Sequence, residues 1–363
     1  MPELLEPYQL KDLRLPNRVV MAPMSRARAT ADGQATASTA VYYAQRASAG
    51  LIISEGLQPS RQGQSNPNTP GLADDANVAA WKPVTRAVHA NGGRIFAQLM
   101  HAGRVGHPAN VGFIPVAPSA VRLDGELFTA RGPLPAPVPR ALSTKEVEGE
   151  VQVFADAARR AIDAGFDGIE LHGANGYLIQ QFLSSNVNQR TDEYGGDITG
   201  RIRFVVETAE AVADAIGPER VGIRLSPGGK IWDVTEEDVP GLYSALLTEL
   251  SRLDVAYVHT LDSTQDDLFE RLRASWSGTW IVNPSPGIVG AQAGPDAAQR
   301  WMDRGADLVS FGRAFLGNPD LVERIRTGAP LREVDPATFY GGDDSGYIDH
   351  PPLEHGVRAS AAA

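Results

Sequence analysis

Three side chains of different chemistry crowd the start of the stretch ELHGANGYLIQQFLSSNVNQRTDEYGG (residues 170–196): His172, Asn175 and Tyr177. Residues 167–172 (DGIELH) read as a strand covered on both faces, and side chains along a strand alternate between faces. Glu170 and His172 therefore share one face, and Ile169 and Leu171 take the other. His172 falls at the strand's C-terminal end, with the amide of Asn175 and the phenol of Tyr177 one short turn beyond. Two N–H donors can stabilise an oxygen that gains negative charge. A phenol, with a pKa of about 10, can deliver a proton to a carbanion-like carbon. The other reading open to these residues is structural: a core histidine with its hydrogen bonds satisfied, and a tyrosine that packs.

The elements that must position this group recur along the chain. Eight short apolar runs qualify as strands: residues 18–22, 51–55, 94–99, 167–172, 221–226, 255–260, 280–283 and 307–312. Helical stripes separate them, among them residues 145–164, with Ser143 or Thr144 as N-cap, residues 201–216 and residues 294–304. Strand and helix alternating eight times predict a (β/α)8 TIM barrel. A chain of 363 residues can hold one barrel, which takes about 250, together with long excursions. Two such excursions are expected, residues 102–142 after strand three and residues 173–200 after strand four. In a barrel, loops at the C-terminal ends of strands build the active site. The same rule makes Gly312 and Arg313, at the end of strand eight, candidates to hold a phosphate through backbone N–H groups and a guanidinium; a surface salt bridge is the plainer role for Arg313. The sequence predicts one domain over residues 1–363, a tail crossing the barrel from about Thr338, and a disordered end at residues 356–363.

Composition narrows the function. Hydrophobic residues make up 42% and charged residues 21%, enough for a sizeable core. The net charge of −11, from 33 basic and 44 acidic residues, disfavours nucleic acid and anionic membranes as partners. With no cysteine, disulfides, iron–sulfur clusters, thiolate zinc and cysteine nucleophiles are excluded. The N-terminal MPELLEPYQLKDLRL lacks the apolar segment of a signal peptide, and no apolar run nears the ~20 residues of a spanning helix. The expectation is a cytoplasmic protein, monomer or homodimer. A doubly wound nucleotide-binding fold is the main rival, but no GxGxxG follows the first strand and no GxxxxGK[ST] occurs. A barrel glycosidase would need paired carboxylates; Glu55 and Glu170 are available, yet Glu170 sits one layer below His172. The seven histidines form no HxH or HExxH pair, so no metal site is expected.

The segment HGANGYLIQQFLSSNVNQRTDEYGG closely resembles the signature of the Old Yellow Enzyme family of FMN-dependent ene-reductases. Its pentaerythritol tetranitrate reductase-like and xenobiotic reductase-like members share the HxxN form. The resemblance spans nearly the whole chain, through NRVVMAPMSRARA (17–29), AQLMHAGR (97–104), VGIRLSP (221–227), FGRAFLGNPDLVERI (311–325) and FYGG (339–342). It implies FMN over the barrel mouth, NADPH or NADH as hydride donor, and an α,β-unsaturated carbonyl or nitro compound as substrate, with nitrate esters and nitroaromatics as further possibilities. By the same resemblance Pro23, Met24 and Ser25 lie against the flavin and Gly56 beside it. Gln98 offers an amide to its pyrimidine edge, and Arg224 places a positive charge near N1 and O2. Without the family, Gln98 and Arg224 are structural barrel polars, and Glu170 is an alternative partner for Arg224. The resemblance further implies that His172 and Asn175 grip the substrate oxygen and that Tyr177 supplies the proton. Met100, where several relatives carry Trp, and Tyr340, a tail aromatic, border the substrate. Trp232 either reaches the pocket or caps the barrel, and Trp276 has an ordinary core reading. NPSPGIVGA (283–291) stands where a compact Gly-rich turn is expected, leaving open which groups after strand seven would meet the phosphate.

Overall fold

The structure, a computed structural model, describes residues 3–262, 267–284 and 292–353. Eight parallel strands close into a barrel. In chain order these are β1 (Val19–Met21), β2 (Leu51–Leu57), β3 (Ile95–Leu99) and β4 (Gly168–Gly173). Then come β5 (Val221–Leu225), β6 (Tyr257–Leu261), β7 (Thr279–Asn283) and β8 (Leu308–Phe311). β8 pairs with β1 through Val309↔Val19 to complete the circuit. All eight expected strands are present, with ends shifted by at most two residues.

Their apolar runs are buried on both faces. Val20, Ile53, Phe96, Tyr257, Ile281 and Leu308 pack inside the barrel, while Val19, Ile52, Ile95, Ile169, Ile223 and Val309 join the layer that meets the helices. At roughly 1.5–3 kcal/mol for each large side chain removed from water, this double burial is the main driving force for the fold. The inner cluster is closed from below by a hairpin, Tyr8–Leu10 paired with Leu13–Leu15, which adds Leu10 and Leu15. That hairpin was not anticipated. Its alternation, Tyr-Gln-Leu-Lys-Asp-Leu-Arg-Leu, is a period-two signal too short to stand out between prolines.

The helix after β3, Thr144–Asp163, begins at Ser143 in a capping box with Glu146, so Ser143 and not Thr144 is the cap. Its buried face carries Val147, Val151, Phe154 and Ala158. The helix after β4 runs Ile198–Ile216, and Pro295–Asp303 follows β7 with Pro at its first position.

Both excursions emerge at C-terminal strand ends, as expected. The one after β3 holds a hairpin, Glu126–Thr129 with Gly132–Pro135, and a short parallel pair, Val116–Ala117 with Arg140–Ala141. Val105, Leu123, Leu127 and Ala136 give it a core of its own. The one after β4 contains the helix Leu178–Leu183. The tail is fastened across the mouth by two arginines: Arg26 donates to the carbonyls of Thr338, Phe339 and Gly346, and Arg28 to those of Thr338, Asp343 and Ser345. Residues 285–291 of the loop after β7 and the expected disordered end at 356–363 lie outside the described residues. Among the described residues no helix is long and apolar enough to cross a membrane.

Candidate active site

A cavity of about 320 Å³ opens at the C-terminal mouth of the barrel, and it is lined by all the residues that the resemblance assigned to flavin, phosphate and substrate. His172 comes from the end of β4, where its backbone is held in register with Arg224 of β5. Asn175 and Tyr177 follow in the turn. Asn175 takes a left-handed backbone, φ 56°, which asparagine tolerates better than most residues. Its N–H donates to Ser226 Oγ at 3.0 Å. The next position must be glycine: a Cβ on Gly176, φ 74°, would stand 2.4 Å from the Ile231 carbonyl.

The helix Leu178–Leu183, LIQQFL, is buried throughout and supports that turn. Gln180 Oε1 accepts from the Gly176 N–H at 2.7 Å, and Gln181 Nε2 donates to the Gly176 carbonyl at 2.8 Å. Glu236 holds Gln180 in place from the far side through Nε2 at 2.9 Å. Buried amides are thus paired with the loop backbone, which fixes where Asn175 and Tyr177 point.

The imidazole of His172 and the phenol of Tyr177 lie 5.3 Å apart, centroid to centroid, tilted by 47°. Burial is the largest influence on both. It holds the His172 pKa well below its ordinary value, with Arg224 and His259 adding to the effect, so the ring is neutral near pH 7. It pushes the Tyr177 phenol up to about 12, against the lowering influence of Trp232 and Ser65. Trp232 does not line the cavity; with Tyr177 it packs against the small cluster of Val105, Leu123, Leu127 and Ala136. Trp276 is a core residue whose indole donates to the Thr279 carbonyl at 3.0 Å.

The opposite wall comes from the segment after β1, with Pro23, Met24 and Ser25, and from the end of β2. The β2–β3 register shifts between Ile53 and Gly56, and bulges of this kind re-aim residues beside active sites. Gly56 ends up opposite Gln98 with Met100 against it; a Cβ there would meet the thioether sulfur at 2.8 Å. Met100 therefore fills the space that a side chain at position 56 would need.

The polar side chains at the cavity floor have definite partners. Arg224 does not hydrogen-bond Glu170: its Nη2 donates to Asn283 Oδ1 at 2.8 Å, while Glu170 is engaged by Gln98, Tyr257 and His259. Gln98 does not offer its amide N–H to the cavity, because Nε2 lies 2.8 Å from Glu170 Oε1 and 3.2 Å from His172 Nδ1. What remains for a ligand is its Oε1. Glu170 is wholly buried and Glu55 accepts from the Arg26 N–H at 3.1 Å, so neither carboxyl is placed as a glycosidase pair requires.

Gly312 and Arg313 line the cavity at the end of β8, where the helix Arg313–Gly317 begins. Asn283, Pro284, Gln292 and Ala293 adjoin them. Asn283, Arg26 and Phe339 escaped the sequence reading. Asn283 ends β7 as His172 nearly ends β4, so the same position rule would have found it; Arg26 and Phe339 become visible only once the tail is seen to cross the mouth. Tyr340 stands at the rim, 67% exposed.

Polar atoms left without partners indicate what the cavity is built to hold. Arg224 Nε and Asn175 Oδ1 are buried with no hydrogen bond among the described residues, and such orphans are costly unless a ligand meets them. A permanent cation, an amide oxygen, a hydroxyl and a wall of small or flat residues fit an electron-accepting ring, and the Gly312–Arg313 end fits an anionic group.

Comparison with known proteins agrees with this chemistry. A family model described as NADH:flavin oxidoreductase / NADH oxidase matches residues 3–332. A probable flavin mononucleotide-dependent alkene reductase of Leishmania infantum is 42% identical over 358 residues, 96% of this chain and 97% of the relative. The 12-oxophytodienoate reductase 2 of Arabidopsis thaliana is 39% identical over 371 residues, 97% of this chain and 96% of the relative. Morphinone reductase, solved in complex with tetrahydroNAD, superposes with a TM-score of 0.91 at 44% identity, covering 98% of this chain and 99% of that one. An old yellow enzyme homologue from Zymomonas mobilis superposes at 0.92 with 41% identity, covering 97% of this chain and 100% of that one.

Proposed function

The chain belongs to the NADH:flavin oxidoreductase / NADH oxidase family as an Old Yellow Enzyme-type, FMN-dependent ene-reductase that uses NAD(P)H, and from that premise we propose that His172, Asn175 and Tyr177 carry the chemistry of its substrate. When bound, FMN would supply the redox chemistry, the transfer of hydride from the nicotinamide to the substrate's β-carbon. Pro23, Met24, Ser25 and Gly56 would line the ring. The Ser25 hydroxyl, Gln98 Oε1 and the Arg224 guanidinium would be its polar contacts, and Gly312 with Arg313 would hold the phosphate.

The rest belongs to the protein. His172 and Asn175 bind the carbonyl or nitro oxygen of an α,β-unsaturated substrate. As the β-carbon gains hydride, negative charge collects on that oxygen, so both hydrogen bonds strengthen in the transition state and lower the barrier. Tyr177 then protonates the α-carbon, the double bond becomes a single bond, and the tyrosinate regains a proton from solvent. A neutral His172 suits this role: it donates without releasing a proton. Met100 and Tyr340 bound the space left for the substrate. Nitrate esters and nitroaromatics present the same kind of oxygen and fall within the reach of the grip.

The single observation that supports this reading is the convergence on one cavity of a neutral imidazole, an amide and a phenol kept protonated by burial. The test is ligand binding to the FMN-loaded protein. An inert phenol such as 4-chlorophenol mimics the enolate oxygen, and His172→Ala removes one donor to it. Losing a hydrogen bond to a charged oxygen is worth roughly 1.5–3 kcal/mol, so affinity should drop about 10- to 100-fold in a spectroscopic titration. Undiminished affinity would remove His172 from the grip.

A further inference from the structure

We infer that Glu170, two residues before His172 on β4, is a positioning residue that fixes the proton of His172 on Nε2 by acting through Gln98. The inference rests on the reading of His172 as a donor to the substrate oxygen, and deepens it by naming what makes the ring a donor at that edge.

His259 is wholly buried, with Nε2 2.8 Å from Ser310 Oγ and Nδ1 2.8 Å from Glu170 Oε2. The Tyr257 hydroxyl donates to the same Oε2 at 3.2 Å. A carboxylate accepts and does not donate, so His259 carries its proton on Nδ1 and accepts from Ser310 at Nε2. The other oxygen of Glu170, Oε1, lies 2.8 Å from the Gln98 amide, and the same rule turns the NH2 of Gln98 toward it. Reversed, the amide would set oxygen against oxygen.

That orientation decides the next bond. The second hydrogen of Gln98 Nε2 reaches His172 Nδ1 at 3.2 Å, so Nδ1 must present a lone pair. A neutral imidazole has one proton, and it is therefore on Nε2, the edge left to the cavity. The directions along the series meet at Glu170: Ser310 donates to His259 and His259 to Glu170, while Gln98 donates both to Glu170 and to His172. Glu170 touches neither the cavity nor its contents, yet it is the member whose lone pairs set the direction of both histidines.

Glu170→Gln changes one atom and inverts the outcome. The donors His259 Nδ1–H and Tyr257 O–H hold the oxygen of the new amide where Oε2 was, which leaves its NH2 facing Gln98. Gln98 then turns its oxygen to this NH2 and to His172 Nδ1, so the His172 proton moves to Nδ1 and the cavity edge loses its donor. Loss of one oxyanion donor typically costs about 10²- to 10³-fold in rate.

The experiment combines 15N-histidine NMR of the FMN-loaded protein with 4-chlorophenol titration and enone turnover, with His172 assigned by its loss in His172→Asn. The wild type should show Nε2–H at pH 6 and 8, and Glu170→Gln should show Nδ1–H with about 10²-fold weaker turnover and weaker phenol binding. In a His172→Asn background, where the amide donates whatever its neighbours do, Glu170→Gln should cost far less than in the wild type, the remainder coming from the turned Gln98 amide beside the flavin. A wild-type Nδ1–H signal overturns the inference without any variant. An unchanged tautomer in Glu170→Gln overturns it too, as does an equal loss in the His172→Asn background, which would mark Glu170 as merely structural. If His172→Ala binds the phenol as well as wild type, the reading of the site falls instead, and the tautomer spectrum still decides the role of Glu170.

Discussion

At His172 burial removes a charge, and at Tyr177 it retains a proton. The second effect gives a direct pH prediction. An ordinary phenol ionises near 10, but burial pushes Tyr177 up to about 12, so the acid form persists across the intervening range. Reoxidation of the reduced enzyme by an enone, followed in stopped-flow pH jumps, should stay level through pH 10. A decline centred at 10 would show a phenol titrating as if in water. His172, held well below its ordinary value, should add no step between pH 6 and 8. At this scale the sequence was legible where alternation applies: His172 over Glu170 on one face follows from strand geometry alone, and resemblance supplied the roles. Illegible were the partners. That Gln98 gives its N–H groups to Glu170 and His172, and that Arg224 reaches past β6 to Asn283, depends on where β3, β4, β5 and β7 stand around the closed barrel, which no local pattern encodes.

Among the elements, the barrel strands could be read because each is an apolar run covered on both faces, and the helix caps because their chemistry is local. The tail was harder. FYGG has no period, and its placement depends on Arg26 and Arg28, more than 300 residues earlier, donating to its carbonyls. Those bonds hold Phe339 and Tyr340 beside the cavity. Arg28 lies outside the cavity lining, so Arg28→Ala should loosen the strap without touching the chemistry. Its three tail-directed bonds are partly exposed, and the net value of such bonds is about 1 kcal/mol each. The expected result is a several-fold higher KM for enones, a nearly unchanged kcat, and faster limited proteolysis between residues 338 and 347. A kcat loss with KM unchanged would mean that the strap serves something other than substrate enclosure.

For the molecule as a whole, the barrel separates stability from function. The hairpin at Tyr8–Leu15 and the cluster around Val20, Phe96 and Ile281 close the bottom, while the two excursions and the tail assemble the top. Composition and strand count were enough to identify that architecture. The lower hairpin and the small core within the first excursion were missed, because both are short elements stabilised by what they pack against. The central claim is that Tyr177 serves the substrate step alone, over the same cavity in which the nicotinamide reduces the flavin. Anaerobic stopped-flow separates the two half-reactions. With Tyr177→Phe, bleaching of the flavin by NADH or NADPH should match the wild type, while return of colour with an enone should slow by about 10²- to 10⁴-fold, the usual worth of a general acid. Recolouring at the wild-type rate would contradict the account.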